Sequence, residues 1–210
     1  MDEIRQEGKT VEEAIKLALE KLEIEEDKAE IKVLDEGSKA LLGIFGGKNA
    51  VVEVKVKIDP VELGLEFLKN LFDNMPVSVE LELIEEETND EQVMYNIKGS
   101  DLGIIIGHRG ETLDAVQYLT SLAVNKKTES YYRVLIDAEG YRKRRQNTLQ
   151  RLARRLAQKA ISTGRKVMLE PMPPHERRII HMTLRPDQRI NTYSEGREPF
   201  RKVMIEKAEG

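Results

Sequence analysis

The 210-residue chain contains no cysteine and no tryptophan. Without thiols it has no disulfide scaffold, no thiol nucleophile and no zinc site with cysteine ligands. Its three histidines are scattered, which leaves little material for a His-rich metal site. Aromatic residues make up only 5% of the chain, so a single large core built on rings is not expected. Apolar residues total 40%, enough for several small Leu/Ile/Val cores. No segment approaches the roughly 20 apolar residues that span a bilayer. The charged opening Met1-Asp2-Glu3-Ile4-Arg5 lacks the apolar stretch of a secretory signal. These absences lead to the expectation of a cytoplasmic protein in a reducing compartment.

What is abundant is charge, at 34% of residues, with a net of −4. The total conceals its layout. Residues 1–59 carry 10 basic and 15 acidic side chains, and residues 60–99 carry 2 and 10. Residues 100–138 carry 4 and 5, whereas residues 139–210 carry 18 and 8, a net of +10. An acidic first half joined to a basic last third points to a polyanionic partner for the basic end. The competing reading is self-complementarity, acidic part against basic part.

Periodicity gives the elements. Val11, Ala14, Ile15, Ala18 and Leu22 recur at helical spacing behind a Thr10/Glu13 capping box. Ile31 and Val33 suggest a short strand, and Val52, Val54, Val56 and Ile58 alternate with charged residues in a second. Asp59-Pro60 marks a boundary. Beyond it, 61–72 reads as a helix, 77–98 as a hairpin, 102–106 and the segment after Gly110 as two helices, and 132–136 as a strand. A long helix runs from about Tyr141 to Ile161 with Leu149, Leu152, Leu156 and Ala160 as its apolar stripe. At about 100° per residue, Arg144, Arg151 and Arg155 share one face, roughly 120° from that stripe. A possible strand at 167–169, a helix over 174–185 and two strands around Ser194-Glu195-Gly196 complete an α+β reading.

Three constellations stand out. Gly107-His108-Arg109-Gly110 interrupts two adjacent helices. Two glycines three apart let a polymer backbone approach closely, and the following helix offers free N–H groups at its positive end. Arg109 adds charge and His108 a donor, so a phosphodiester is the natural ligand. The bland alternative is a capping loop. Arg177 and His181 lie four residues apart on one helix face; an arginine fork suits phosphate, and histidine can donate or stack on a base. The bland alternative here is a solvated arginine beside a packed histidine. The stretch 37–48 is glycine-rich but fails as a nucleotide P-loop, because Leu42 and Asn49 occupy positions that need Gly and Ser/Thr. Leu41, Leu42, Ile44 and Phe45 suggest either a contact loop or a tucked turn.

The order α-β-β-α-α-β with its GXXG loop resembles a type II KH domain, in which that loop clamps the backbone of about four nucleotides. Ile104–Ile106 and the strand over 131–137 would then line the groove for bases. Arg177 and His181, between a basic helix and a terminal hairpin, resemble the R-three-H domain. Gly8-Lys9-Thr10-Val11-Glu12-Glu13-Ala14-Ile15, the Lys39–Gly47 loop, the GHRG loop, Pro173-Pro174-His175-Glu176-Arg177-Arg178-Ile179-Ile180-His181 and Ser194-Glu195-Gly196 together resemble the Jag family of bacterial RNA-binding proteins along nearly the whole chain. The resemblance implies three small domains. These are a Jag N-terminal α/β domain over 1–58, KH over 59–138, and R-three-H over 139–210, with helices packed on a three-stranded sheet.

It further implies a non-enzymatic regulator of single-stranded RNA, with single-stranded DNA as a substitute in vitro. RNA would be held by Gly107, His108, Arg109, Gly110, Arg177 and His181, supported by Arg144, Arg151 and Arg155. A second small KH protein as partner, RNA-chaperone activity, a role in cell shape and wall growth, contact with membrane-associated envelope machinery through the N-terminal domain, and self-association belong to the same implication. No cofactor, metal or catalytic residue is implied. Glu85-Glu86-Glu87 with Asp90 and Glu91 is the one dense carboxylate cluster; it flanks a hairpin turn and reads as a solvated charge run. The alternative function is a scaffold at a membrane surface or on a protein partner. The family often carries a long linker after its first domain; here Asp59-Pro60 joins it directly to the next.

Overall fold

The computed structural model describes residues 3–38 and 48–208. Residues 39–47, which hold most of the glycine-rich loop and the family segment within it, lie outside the described residues. The contacts divide the chain into two compact units, Met1–Leu68 with Ser121–Tyr132, and Lys69–Thr120 with Arg133–Gly210.

The first sheet has the order β1-β3-β2, formed by β1 (Glu3–Gly8), β2 (Ala29–Asp35) and β3 (Ala50–Val56), with both pairings antiparallel. Helix α1 (Val11–Leu22) packs on it, and Ala14, Ala18, Val52 and Val54 form the small aliphatic core. The Thr10 hydroxyl caps the helix by accepting from the Glu13 N–H at 3.2 Å. The Glu13 carboxylate reaches back to the Lys9 N–H at 2.7 Å, one residue beyond the usual reciprocal bond. Strand β1 had no readable apolar alternation, because only Ile4 joins the core from it. Two of its charged side chains form cross-strand ion pairs, Arg5 with Glu53 at 2.8 Å and Glu3 with Lys55 at 3.5 Å. The Arg5 hydrogen bond also holds the Glu53 carboxyl below the usual range.

Helix α2 (Pro60–Asp73) starts at the proline that the sequence marked as a boundary, with Asp59 accepting from the Val61 N–H at 2.8 Å. The middle sheet has the order β4-β5-β6, from β4 (Val79–Leu83), β5 (Gln92–Gly99) and β6 (Arg133–Ala138). The hairpin β4–β5 is antiparallel, and β5–β6 is parallel. The parallel pairing requires a crossover, supplied by α3 (Leu102–Ile106) and α4 (Glu111–Asn125). Val93, Tyr95 and Ile97 of β5, with Val134 and Ile136 of β6, are buried. Glu85–Glu87 form a single exposed 3₁₀ turn in the hairpin connection, and no group of three His, Cys, Asp or Glu that could hold a metal occurs among the described residues.

The last sheet has the order β7-β9-β8, from β7 (Val167–Met168), β8 (Ile190–Glu195) and β9 (Lys202–Lys207), all antiparallel. Helices α5 (Tyr141–Thr163) and α6 (Pro174–Leu184) pack with it around Leu149, Ala153, Ala157, Ile180, Val203 and Ile205. The alanines on α5 permit close approach, so a core with no aromatic ring still closes. Inside it Glu176 is 1% exposed and is held by the Arg145 guanidinium at 2.6 and 3.0 Å. Glu176 lies in the first turn of α6, where the helix dipole also favours a carboxylate. Removing the cation strands a buried charge. Arg145→Ala is expected to lower the stability of this unit by about 3 kcal/mol, whereas Arg5→Ala, which removes a largely exposed cation, is expected to cost less. Urea unfolding followed by circular dichroism measures both.

Candidate nucleic-acid interface

The GHRG loop is built by backbone conformations that side chains disfavour. Gly107 has φ 69° and ψ −167°, a region that essentially only glycine occupies. A Cβ there would lie 2.0 Å from the Thr112 hydroxyl. Gly110 has φ 89°, and a Cβ there would press on the Tyr141 ring at 3.0 Å. These two glycines therefore set the loop's shape, and replacing them strains the fold as well as the ligand surface. Between them His108 is exposed, 3.9 Å from Glu111. Arg109 adopts a left-handed conformation, φ 59° and ψ 20°.

The structure gives Arg109 partners that the sequence did not reveal. Its guanidinium donates to the Pro171 carbonyl and to the Glu170 carboxylate, and its side chain is only 15% exposed. Tyr141, the first residue of α5, covers Gly110 on another side. A cleft of about 210 Å³ lies here, lined among others by Arg109, Gly110, Tyr141, Arg145 and His175. Burial in this cleft raises the Tyr141 hydroxyl's pKa. Neither Glu170 nor Tyr141 carries a local sequence signal, since each meets the loop only through the tertiary fold.

Beside the loop, Ile104 is exposed, Ile105 is buried and Ile106 is intermediate, so the apolar run presents one open residue and anchors another. On α5, Arg144, Arg151 and Arg155 are exposed, as the helical geometry predicts. Arg144 also donates to the Glu139 carbonyl and so closes the turn that leads into the helix. Arg142 and Arg145, outside that predicted face, are instead bound within the fold.

Arg177 and His181 are differently disposed from either sequence reading. Arg177 is the packed member: 8% exposed, it donates to the Met172 carbonyl at 2.9 Å and to Glu198 at 2.6 Å. Its fork ties α6 to the segment before it and to the β8–β9 connection. His181 is intermediate in exposure, and both ring nitrogens are engaged, Nδ1 with the Thr192 hydroxyl at 2.8 Å and Nε2 with the Ser194 hydroxyl at 2.9 Å. A neutral imidazole satisfies both, donating at one nitrogen and accepting at the other. Burial, and secondarily the Arg177 charge, lower its pKa. The pair thus clamps α6 onto β8 and its loop, and fixes the surface between them.

Three family models match the chain in order: Jag N-terminus over residues 6–56, the KhpA/KhpB KH domain over 61–136, and the R-three-H domain over 147–207. The chain is 45% identical over 205 residues to RNA-binding protein KhpB of Clostridium symbiosum, covering 98% of this chain and 91% of that protein. It is 39% identical over 200 residues to the RNA-binding protein KhpB of Bacillus subtilis, covering 94% and 95%. With that of Streptococcus pneumoniae R6 it shares 30% over 200 residues, 93% of this chain but 56% of the longer relative.

The His181 environment has a pH signature. Its folded-state pKa lies below its unfolded value. The unfolded chain therefore takes up the proton first, and the associated stability, present above the ordinary histidine value, is lost as pH falls through it toward the folded value. Thermal melts of the full chain between about pH 7 and 5 are expected to show a falling Tm whose slope shrinks in His181→Gln. An identical slope in that variant contradicts the assignment.

Proposed function

Since the chain belongs to the KhpB family of RNA-binding proteins, we propose that it binds single-stranded RNA non-catalytically through two surfaces, the GHRG loop and the exposed arginine face of α5. The observation that carries this reading is the loop itself. Its two glycines hold conformations that turn the loop tightly against Thr112 and Tyr141, the shape of a backbone-clamping GXXG loop, with His108 exposed between them and Arg151 and Arg155 exposed on the helix that follows the sheet. Within this reading the modules are 1–58, 59–138 and 139–210. Gly107 and Gly110 set the turn over which the sugar–phosphate chain passes, His108 and Arg109 supply donors, and Ile104 offers an apolar contact to a base. Arg151 and Arg155 add phosphate contacts, with Arg144 at the end of the same face. Arg177 and His181 act mainly by holding α6 in place, leaving the rim of that clamp to the nucleic acid. Two linked weak sites raise overall affinity through effective concentration.

The domains it carries are binding domains, and the chain has the character of a regulator. A role in cell elongation and wall growth follows from the family resemblance and sits within the proposal. So does action in the cytoplasm; among the described residues no helix is long and apolar enough to cross a membrane.

An RNA titration by fluorescence anisotropy separates the two surfaces. His108→Asp with Arg109→Asp reverses the charge at the loop while sparing the strained glycines, and is expected to weaken binding at least tenfold, the effect of losing charge-assisted contacts. Arg151→Gln with Arg155→Gln is expected to flatten the log–log salt slope by about 1.4, near 0.7 for each phosphate contact with a single strand. Unchanged affinity in the first variant refutes the loop assignment; an unchanged slope in the second refutes the helix face.

A protein partner is the second reading, and one surface favours it. Ala115, Tyr118, Leu119 and Leu122 lie at helical spacing on α4 and are all exposed, with Tyr118 64% accessible. An apolar stripe of this kind suits a second KH protein offering its own helix. Leu119→Asp is expected to abolish co-elution with such a protein in size-exclusion chromatography while leaving RNA affinity unchanged; retained co-elution overturns the docking assignment.

A further inference from the structure

Arg109 is the residue of the GHRG loop best suited to a phosphate, and its fork is already occupied. The carboxylate of Glu170 takes one terminal nitrogen and the Pro171 carbonyl the other. Both acceptors belong to a segment far along the chain, and that segment is pinned on each side. Leu169 is buried, and its N–H donates to the Val203 carbonyl at 3.0 Å; Met172 is buried, and its N–H donates to the Arg201 carbonyl at 3.2 Å. Glu170 is thus presented to the loop by a rigid edge. The Arg109 backbone is held in the left-handed region, which a side chain of this size rarely adopts. Its guanidinium reaches the 170–171 edge from that conformation.

Two features make the pair exchangeable rather than permanent. The Glu170 side chain is 82% exposed, so water and salt reach it freely. A carboxylate also presents the same chemistry as the two non-bridging oxygens of a phosphodiester, paired acceptors carrying negative charge that an arginine fork binds side on. Glu170 therefore offers Arg109 the same acceptor chemistry as an RNA phosphate.

We propose that Glu170 is a built-in competitor for phosphate at Arg109, so that RNA binding exchanges the carboxylate for a backbone phosphate. This rests on the reading that the GHRG loop grips RNA and adds how that grip is tuned. A residue of the C-terminal module sets the affinity of the KH loop. Binding by the loop then frees the Glu170 side chain, so the loop and the C-terminal module share one cation without a ligand bridging them. It also makes the loop selective for dense polyanions, because a single weak anion gains little by displacing a tethered carboxylate.

The test is an anisotropy titration of the full chain with a fluorescein-labelled single-stranded RNA oligonucleotide at low salt, with circular dichroism confirming that each variant is folded. Glu170→Gln is expected to bind about twofold to fivefold more tightly, the scale of one exposed ion pair. In an Arg109→Gln background the same change is expected to have no effect, since the competition is for Arg109. Equal or weaker binding by Glu170→Gln overturns the proposal. So does a gain that persists in the Arg109→Gln background, which would mark a general charge effect. His108→Asp with Arg109→Asp separates the levels: a loss of affinity there with no gain from Glu170→Gln sinks the competitor alone, whereas no loss there sinks the loop reading and the competitor with it.

Discussion

The C-terminal unit depends on the guanidinium of Arg142. Its Nε donates to the Ile136 carbonyl at 3.1 Å, one terminal nitrogen to Asp114 at 2.6 Å and the other to the Gln117 side chain at 3.3 Å. One residue thereby joins β6, α4 and the start of α5. The chain turns from strand to helix through Glu139 and Gly140, both left-handed, and Asp137 receives the Arg142 N–H at 3.2 Å. These contacts fix the direction in which α5 leaves the middle sheet. The loop's contacts with α5 and with the 170–171 edge depend on that direction. Tyr141 meets Gly110, Arg145 reaches Glu176, and the 170–171 edge comes within reach of Arg109.

Basic residues in this unit therefore divide into two groups with different physics. Arg142, Arg145 and Arg177 are engaged by carboxylates and carbonyls within the fold, where their planar, multiply donating heads bind several elements at once; Arg109 is paired as well, but with an exposed carboxylate. Arg151 and Arg155 stand in solvent on α5. The net charge of +10 over residues 139–210 exaggerates the field available to a ligand, because part of that positive charge is already paired inside the fold. The acidic first domain uses charge differently, as a cross-strand ladder around Glu53 that solvates one sheet face.

Much of this was legible in the sequence, and the rest was hidden for identifiable reasons. The helices over 11–22, 60–73, 141–163 and 174–184 announced themselves through apolar stripes and through Thr10 and the prolines at 60 and 174. The placement of GHRG between two helices, and of those helices within the α-β-β-α-α-β order, was also readable. Strand β1 was not, since Ile4 is its one apolar core residue and its partners are ion pairs 48 and more residues away. The spacing of Arg177 and His181 was plain, but spacing says nothing of whether a fork is free, and Glu198, Thr192 and Ser194 close both side chains through the fold. Glu170 lies 61 residues from Arg109, and no local pattern marks it. Local pattern identifies elements and motifs; which cation meets which acceptor is decided by packing that the pattern does not contain.

In the proposed complex one strand of RNA lies across the GHRG loop and the arginine face of α5. The most direct measurement is photo-crosslinking of the full chain to a single-stranded RNA, followed by digestion and mass-spectrometric mapping of the peptides that carry nucleotide. Crosslinked peptides are expected from the segment around Ile104–Gly110 and from α5 around Arg151–Arg155, both lost together on adding excess unlabelled RNA. Crosslinks confined to the N-terminal sheet, or to the middle module with none on α5, would contradict that placement.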